Sequence, residues 1–222
     1  MRSHGDVRIA AAGALLGGEL RVPAGSRGVV VFAHGSGVTR HDARNRLVAR
    51  ELRKARIATL LVDLLDADEC RDRHNVFDVE LQASRLLEVT HWLDGRRSLR
   101  ALKLGYYGTG VGAGAALLAA ATEPARVAAV VCAGGRPDTA LFQLPAVRAA
   151  TLFIADDADL SARECIDAAY RRVAAEKALV VVAGAGYAFE RPGAIESVAR
   201  HARRWFVRHL AVDAAMRAAH SP

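Results

Sequence analysis

Residues Gly108 to Gly112 read Gly-Thr-Gly-Val-Gly. They follow an apolar run with strand character and open an alanine-rich run with helix character. That is the setting of a turn that holds a nucleophile. In a G-x-S-x-G turn the strand reverses sharply into a helix, the central residue is strained, and its neighbours must be small. Gly108 and Gly112 supply the small flanks, but the centre is Gly110, which has no side chain. Glycine adopts positive φ readily, so the turn is kept without the oxygen that would attack a carbonyl. Thr109 stands one place too early and points in a different direction.

The same glycines also fit G-x-G-x-x-G/A, the fingerprint of dinucleotide binding, since Ala113 completes it. That fingerprint expects an acidic residue at the end of the next strand and normally belongs to the first strand of its unit. Here "VAAVVCAGG" carries no acid and several strands come first, so no nicotinamide or flavin is expected. A second cluster, Arg40, His41, Arg44 and Asn45 in "TRHDARN", gathers cationic and amide groups where a helix begins. Backbone amides at such a start also favour an anion, which makes the cluster a candidate site for a phosphate or carboxylate. The competing reading is helix capping and salt bridges to nearby acids.

Composition sets the bounds on the rest. A chain of 222 residues with 52% hydrophobic content can bury a full core, and one domain over 1–222 is expected. The formal charge is +7, but the arginines are scattered and form no arm or aromatic-interleaved stripe, so a solvated surface is expected rather than nucleic-acid binding. Cys70, Cys132 and Cys165 are odd in number and widely spaced, which argues against a disulfide framework or a metal site. The N-terminal stretch has no apolar core of a signal peptide, and no apolar run approaches a membrane span. A cytoplasmic protein away from membranes is expected.

Periodicity places these groups on alternating elements. Two opening strands joined by a glycine turn, expected to be antiparallel, precede strands over 28–33, 57–63, 102–107, 127–133, 151–155 and 179–182. Helices are expected over 44–55, 79–93, 111–121, 162–176 and 194–210. Near-continuous apolar strands alternating with helices predict a mostly parallel eight-stranded sheet covered on both faces, with no large lid. Trp92 and Trp205 fall on apolar helix faces and are expected in the core.

"VVVFAHGSGVTRHDARNRLVARELRKARIATLLVDLL", "LGYYGTGVGAGAALLAAA", "VAAVVCAGGRPD" and "FERPGAIESVARHARRWFVRHL" together resemble dienelactone hydrolase-related α/β-hydrolases, notably the small group sometimes fused to phosphoribosyltransferases. The resemblance implies the α/β-hydrolase fold, with a catalytic acid after the seventh strand and a histidine after the eighth. "LFIADDADLSA" then leaves Asp159 at the acid position, while "VVAGAGYAFERPG" puts Tyr187 where the histidine belongs. No histidine occurs between His91 and His201. Tyrosine, with an ordinary pKa of about 10, is a poor general base near neutral pH. The triad is thus degenerate at Gly110, Asp159 and Tyr187.

The loop His34, Gly35 and Ser36 corresponds to the oxyanion loop, a role that uses backbone N–H groups and the close approach that Gly35 permits. The expected function is a pseudoenzyme that binds a small ligand, with an anion among the candidates, or a protein partner in the old cleft. No cofactor or metal is expected, and homo-oligomerisation stays open. The alternative is an active ester or lactone hydrolase using Ser36 or Cys132 as its nucleophile. The ordinary roles of those two are a turn serine and a buried thiol.

Overall fold

The computed structural model describes residues 4–11, 13–35, 39–157, 159–185 and 189–210. Its sheet is built from β1 (His4–Ala11), β2 (Ala14–Arg21), β3 (Gly28–Ala33), β4 (Ile57–Val62), β5 (Lys103–Gly108), β6 (Val127–Ala133), β7 (Ala150–Asp156) and β8 (Lys177–Val182), in the order β1-β2-β4-β3-β5-β6-β7-β8. β1 and β2 are antiparallel to each other, and β2 is antiparallel to β4. Every later pairing is parallel. Parallel strands need covered crossovers, and the chain supplies them with α1 (Ala43–Lys54), α2 (Arg73–Phe77), α3 (Val79–Asp94), α4 (Val111–Thr122), α5 (Leu160–Arg172) and α6 (Ala194–Leu210).

Side-chain alternation divides the core. In β3, Val29, Val31 and Ala33 join the cluster under α3, α4 and α5, whereas Val30 and Phe32 join the cluster under α1 and α6. All six residues of β3 are buried, as expected of a central strand with both faces covered. α4 is buried nearly all round and, apart from Thr122 at its end, made of glycine, alanine, valine and leucine; its glycines and alanines let it lie this close to the sheet. A Cβ on Gly112 would stand 2.2 Å from the Ala33 carbonyl oxygen, so β3 and α4 meet through a missing methyl group.

α6 is strongly amphipathic and seals the other face, with Val198, Ala202, Phe206 and Leu210 inward. Trp205 is 9% exposed and donates its Nε1–H to the Ala150 carbonyl (3.1 Å). Trp92, expected in the core, is only partly buried and packs against the edge of the opposite cluster. Among the described residues, no helix is long and apolar enough to cross a membrane.

Candidate functional site in the strand-end cleft

The carboxyl ends of β3, β5, β6 and β7 open into one cavity of about 450 Å³. At its floor the chain turns from β5 into α4 through Gly110, whose φ of 57° and ψ of −132° belong to a backbone region that disfavours L side chains. The turn is held from three sides. Thr109 N–H donates to the Ala33 carbonyl (3.0 Å), while the Gly110 carbonyl accepts from Arg136 N–H (3.0 Å) and Ala113 N–H (3.3 Å). A Cβ on Gly110 would come 3.0 Å from Gly35 Cα, tighter than side chains normally tolerate. The glycine-flanked strand-to-helix turn is therefore formed by backbone alone, with the β3 loop packed close to where a side chain would start.

That loop is anchored from behind. Asp63, next after β4, accepts the Arg40 backbone N–H (2.7 Å) on one carboxylate oxygen and pairs through the other with the Arg40 guanidinium. His34 Nε2 lies 3.4 Å from Asp63 Oδ1, near enough for attraction but outside hydrogen-bond alignment. Burial alone would raise the Asp63 carboxyl, but His34 and the two Arg40 donors outweigh it and hold the group at about 2. His34 is itself buried, at 7% exposure. Gly35 lines the cavity, and Ser36 lies outside the described residues.

Asp159, expected at the acid position, has its carboxylate engaged locally. Asp159 lines the cavity as the N-cap of α5; its side chain accepts from Ala162 N–H (2.9 Å), and its own N–H donates to Asp156 Oδ1 (2.8 Å). Tyr187 lies outside the described residues. No histidine lines the cavity among the described residues.

The cationic cluster divides. Arg44 and Asn45 line the cavity, but Arg40 and His41 do not. Arg40 is turned toward Asp63, and His41 is exposed, with Nδ1 2.9 Å from an Arg46 guanidinium nitrogen. The reason is local: Asp42 caps α1 by accepting from Arg44 and Asn45 N–H, and this fixes the preceding residues outside the helix, on the side facing Asp63. The lining carries two arginines, Arg44 and Arg136, against three aspartates, Asp42, Asp156 and Asp159, so the cleft is not a cationic pocket.

Cys132, a candidate nucleophile from the sequence, does not reach the cleft either. It lies on β6 and is fully buried under α4, its Sγ facing the Ala113 carbonyl (3.8 Å), and burial pushes its thiol well above the ordinary range. The strand alternation that buries Val130 on that face puts Cys132 there too, away from the cleft.

Several lining groups escaped sequence reasoning. Tyr107 and Asn45 are 1% and 4% exposed, and among the described residues neither side chain has a hydrogen-bond partner. Arg136 follows β6 and is clamped bidentately by Asp138 (2.9 and 2.8 Å). Cys165 shares a helix face with Asp159 and Ala162, a spacing of three that the sequence does display. Burial and then the Asp138 charge raise its thiol, partly opposed by Arg136, so a thiolate is disfavoured there.

A mostly parallel eight-stranded sheet, with a glycine-flanked strand-to-helix turn at the mouth of its central strands, defines an α/β-hydrolase fold. Est1E from Butyrivibrio proteoclasticus has that fold too: 14% identical, TM-score 0.77, covering 92% of this chain and 98% of that one. A dienelactone hydrolase from Anabaena variabilis is 43% identical with a TM-score of 0.91, over 94% of this chain and 99% of that chain. The chain belongs to the dienelactone hydrolase-related family. A Mycobacterium tuberculosis protein named as a phosphoribosyl transferase is 48% identical over 205 residues, 92% of this chain but 46% of that protein. The chain thus spans about half the length of the curated relatives it matches. No family model matches the sequence.

Proposed function

We propose that this chain is a non-hydrolytic member of its family, a pseudoenzyme whose strand-end cleft binds a small molecule without cleaving it. The observation that supports this most directly is Gly110. It keeps the backbone of the nucleophile turn while Gly35 stands 3.0 Å from the point where a side chain would begin. Tyr187 at the histidine position and Asp159 capping α5 agree with that reading. Losing one triad member leaves roughly 10³–10⁴-fold acceleration over water, and losing a second member of the same unit costs little more.

The ligand we favour is polar rather than strongly anionic. Asn45 and Tyr107 offer an amide and a hydroxyl with no competing partner among the described residues, while three aspartates oppose an anion drawn by Arg44 and Arg136. A protein partner of phosphoribosyl transferase type is the corresponding proposal for the longer assembly, taken from the name of the Mycobacterium tuberculosis relative. A cytoplasmic setting is supported by three free cysteines. Treatment with a fluorophosphonate followed by intact-mass analysis tests the central point. No adduct is expected, and an adduct mapping to Ser36 or to a hydroxyl lining the cleft would show an activated nucleophile.

A further inference from the structure

On α1, Arg46, Arg50 and Arg53 follow one another at spacings of four and three, which puts them on a single stripe of the helix. Arg21 at the end of β2 faces the same groove, which has a volume of about 520 Å³ and shares no lining residue with the cleft. Four guanidiniums meet there, but among the described residues a single carboxylate lines the groove, that of Glu19. Its two oxygens are taken by Arg21 (3.0 Å) and Arg46 (3.1 Å). Arg53 has a neutral partner, donating to Thr59 Oγ1 (3.1 Å). Glu51, beside Arg50, is engaged by Lys54 (2.7 Å).

Several arginines elsewhere each have an acid of their own, Arg126 with Asp94, Arg136 with Asp138 and Arg163 with Asp167, whereas here Arg21 and Arg46 share one carboxylate. In the groove, burial lowers the Arg53 pKa first; Glu19 opposes that shift and the neighbouring Arg21, Arg50 and Arg46 add to it. Like charges are being held together here with too little counter-charge. Arginine forks match the paired oxygens of a phosphoryl group, and a second phosphoryl group would reach the remaining forks of the stripe.

We propose that Arg21, Arg46, Arg50 and Arg53 form a second binding site, for a phosphate-bearing anion with at least two negative charges. The site is independent of whatever the cleft does. It also moves the anion expected at the start of α1 from the inner side of that helix to its outer side.

The test is a titration of the full chain with inorganic pyrophosphate, followed by calorimetry and by the arginine side-chain N–H signals in NMR, with inorganic phosphate and sulfate as separate arms. Saturable pyrophosphate binding is expected, tighter than either single-centre anion and weakening with added salt because the groove is open to solvent. Arg50→Gln, on an exposed residue that leaves the Glu19 contacts intact, should weaken binding about tenfold, as the loss of one charge-assisted fork would. Arg50→Lys should restore only part of it, and Arg71→Gln, at a distant exposed ion pair, should change nothing. The proposal is overturned if no saturable binding occurs, or if pyrophosphate binding is indifferent to Arg50→Gln. It is equally overturned if sulfate binds as well as pyrophosphate, which would mean an adventitious ion only.

Discussion

At the scale of single residues, the cleft is organised around a hydrogen atom. Gly110 occupies a conformation that costs other residues about 1–3 kcal/mol, and its Cβ position faces Gly35 at 3.0 Å. Gly110→Ser is therefore expected to lower stability by about 1–3 kcal/mol in denaturant titrations and to confer no ester turnover, because no general base is provided. Asp63 gives a second prediction. Its folded pKa of about 2 lies below its ordinary 3.8, so the stabilisation it brings is present above about pH 4 and is lost as pH falls toward 2. Asp63→Asn should destabilise the protein by about 2 kcal/mol at neutral pH and flatten the acid limb of the stability profile, measured by urea unfolding from pH 2 to 7. Gly110 was legible in the sequence because glycine spacing is local. The division of the cationic cluster, Arg40 toward Asp63 and Arg44 toward the cleft, was not legible, since it depends on which acid lies across the β3–β4 gap.

At the scale of elements, the close contact of α4 with β3 decides whether the turn exists at all. With 2.2 Å between a Gly112 Cβ and the Ala33 backbone oxygen, Gly112→Ala must push helix and strand apart. A loss of about 3 kcal/mol or more is expected in thermal or chemical unfolding, against the gain that Gly→Ala normally gives inside a helix. Strand alternation and helix periodicity foretold all eight strands and the five longer helices, because each carries its own buried face. They failed where tertiary pairing overrides local preference. The residues after Arg172 continue an alanine-rich helix pattern, but the helix stops because Glu176 must present its carbonyl to Thr151 N–H at the sheet edge (2.8 Å). The five-residue helix Arg73–Phe77 was invisible for a different reason: it is too short to show a period and is defined by its aspartate cap, Asp72.

At the scale of the whole molecule, fold and family were readable because the motif-bearing stretches run along nearly the entire chain. Charge was harder to read: the sequence shows +7 spread over scattered arginines, and only the folded arrangement gathers four of them around the single carboxylate of Glu19 in the outer groove of α1. The proposal that the cleft binds without cleaving is most directly examined by its chemistry. The decisive measurement is turnover of p-nitrophenyl acetate and of a dienelactone by the purified protein at neutral pH, compared with buffer and with the Ser36→Ala and Cys165→Ala variants. No turnover above buffer is expected in any of them. Saturable turnover by the unmodified chain that disappears with either substitution would contradict the proposal.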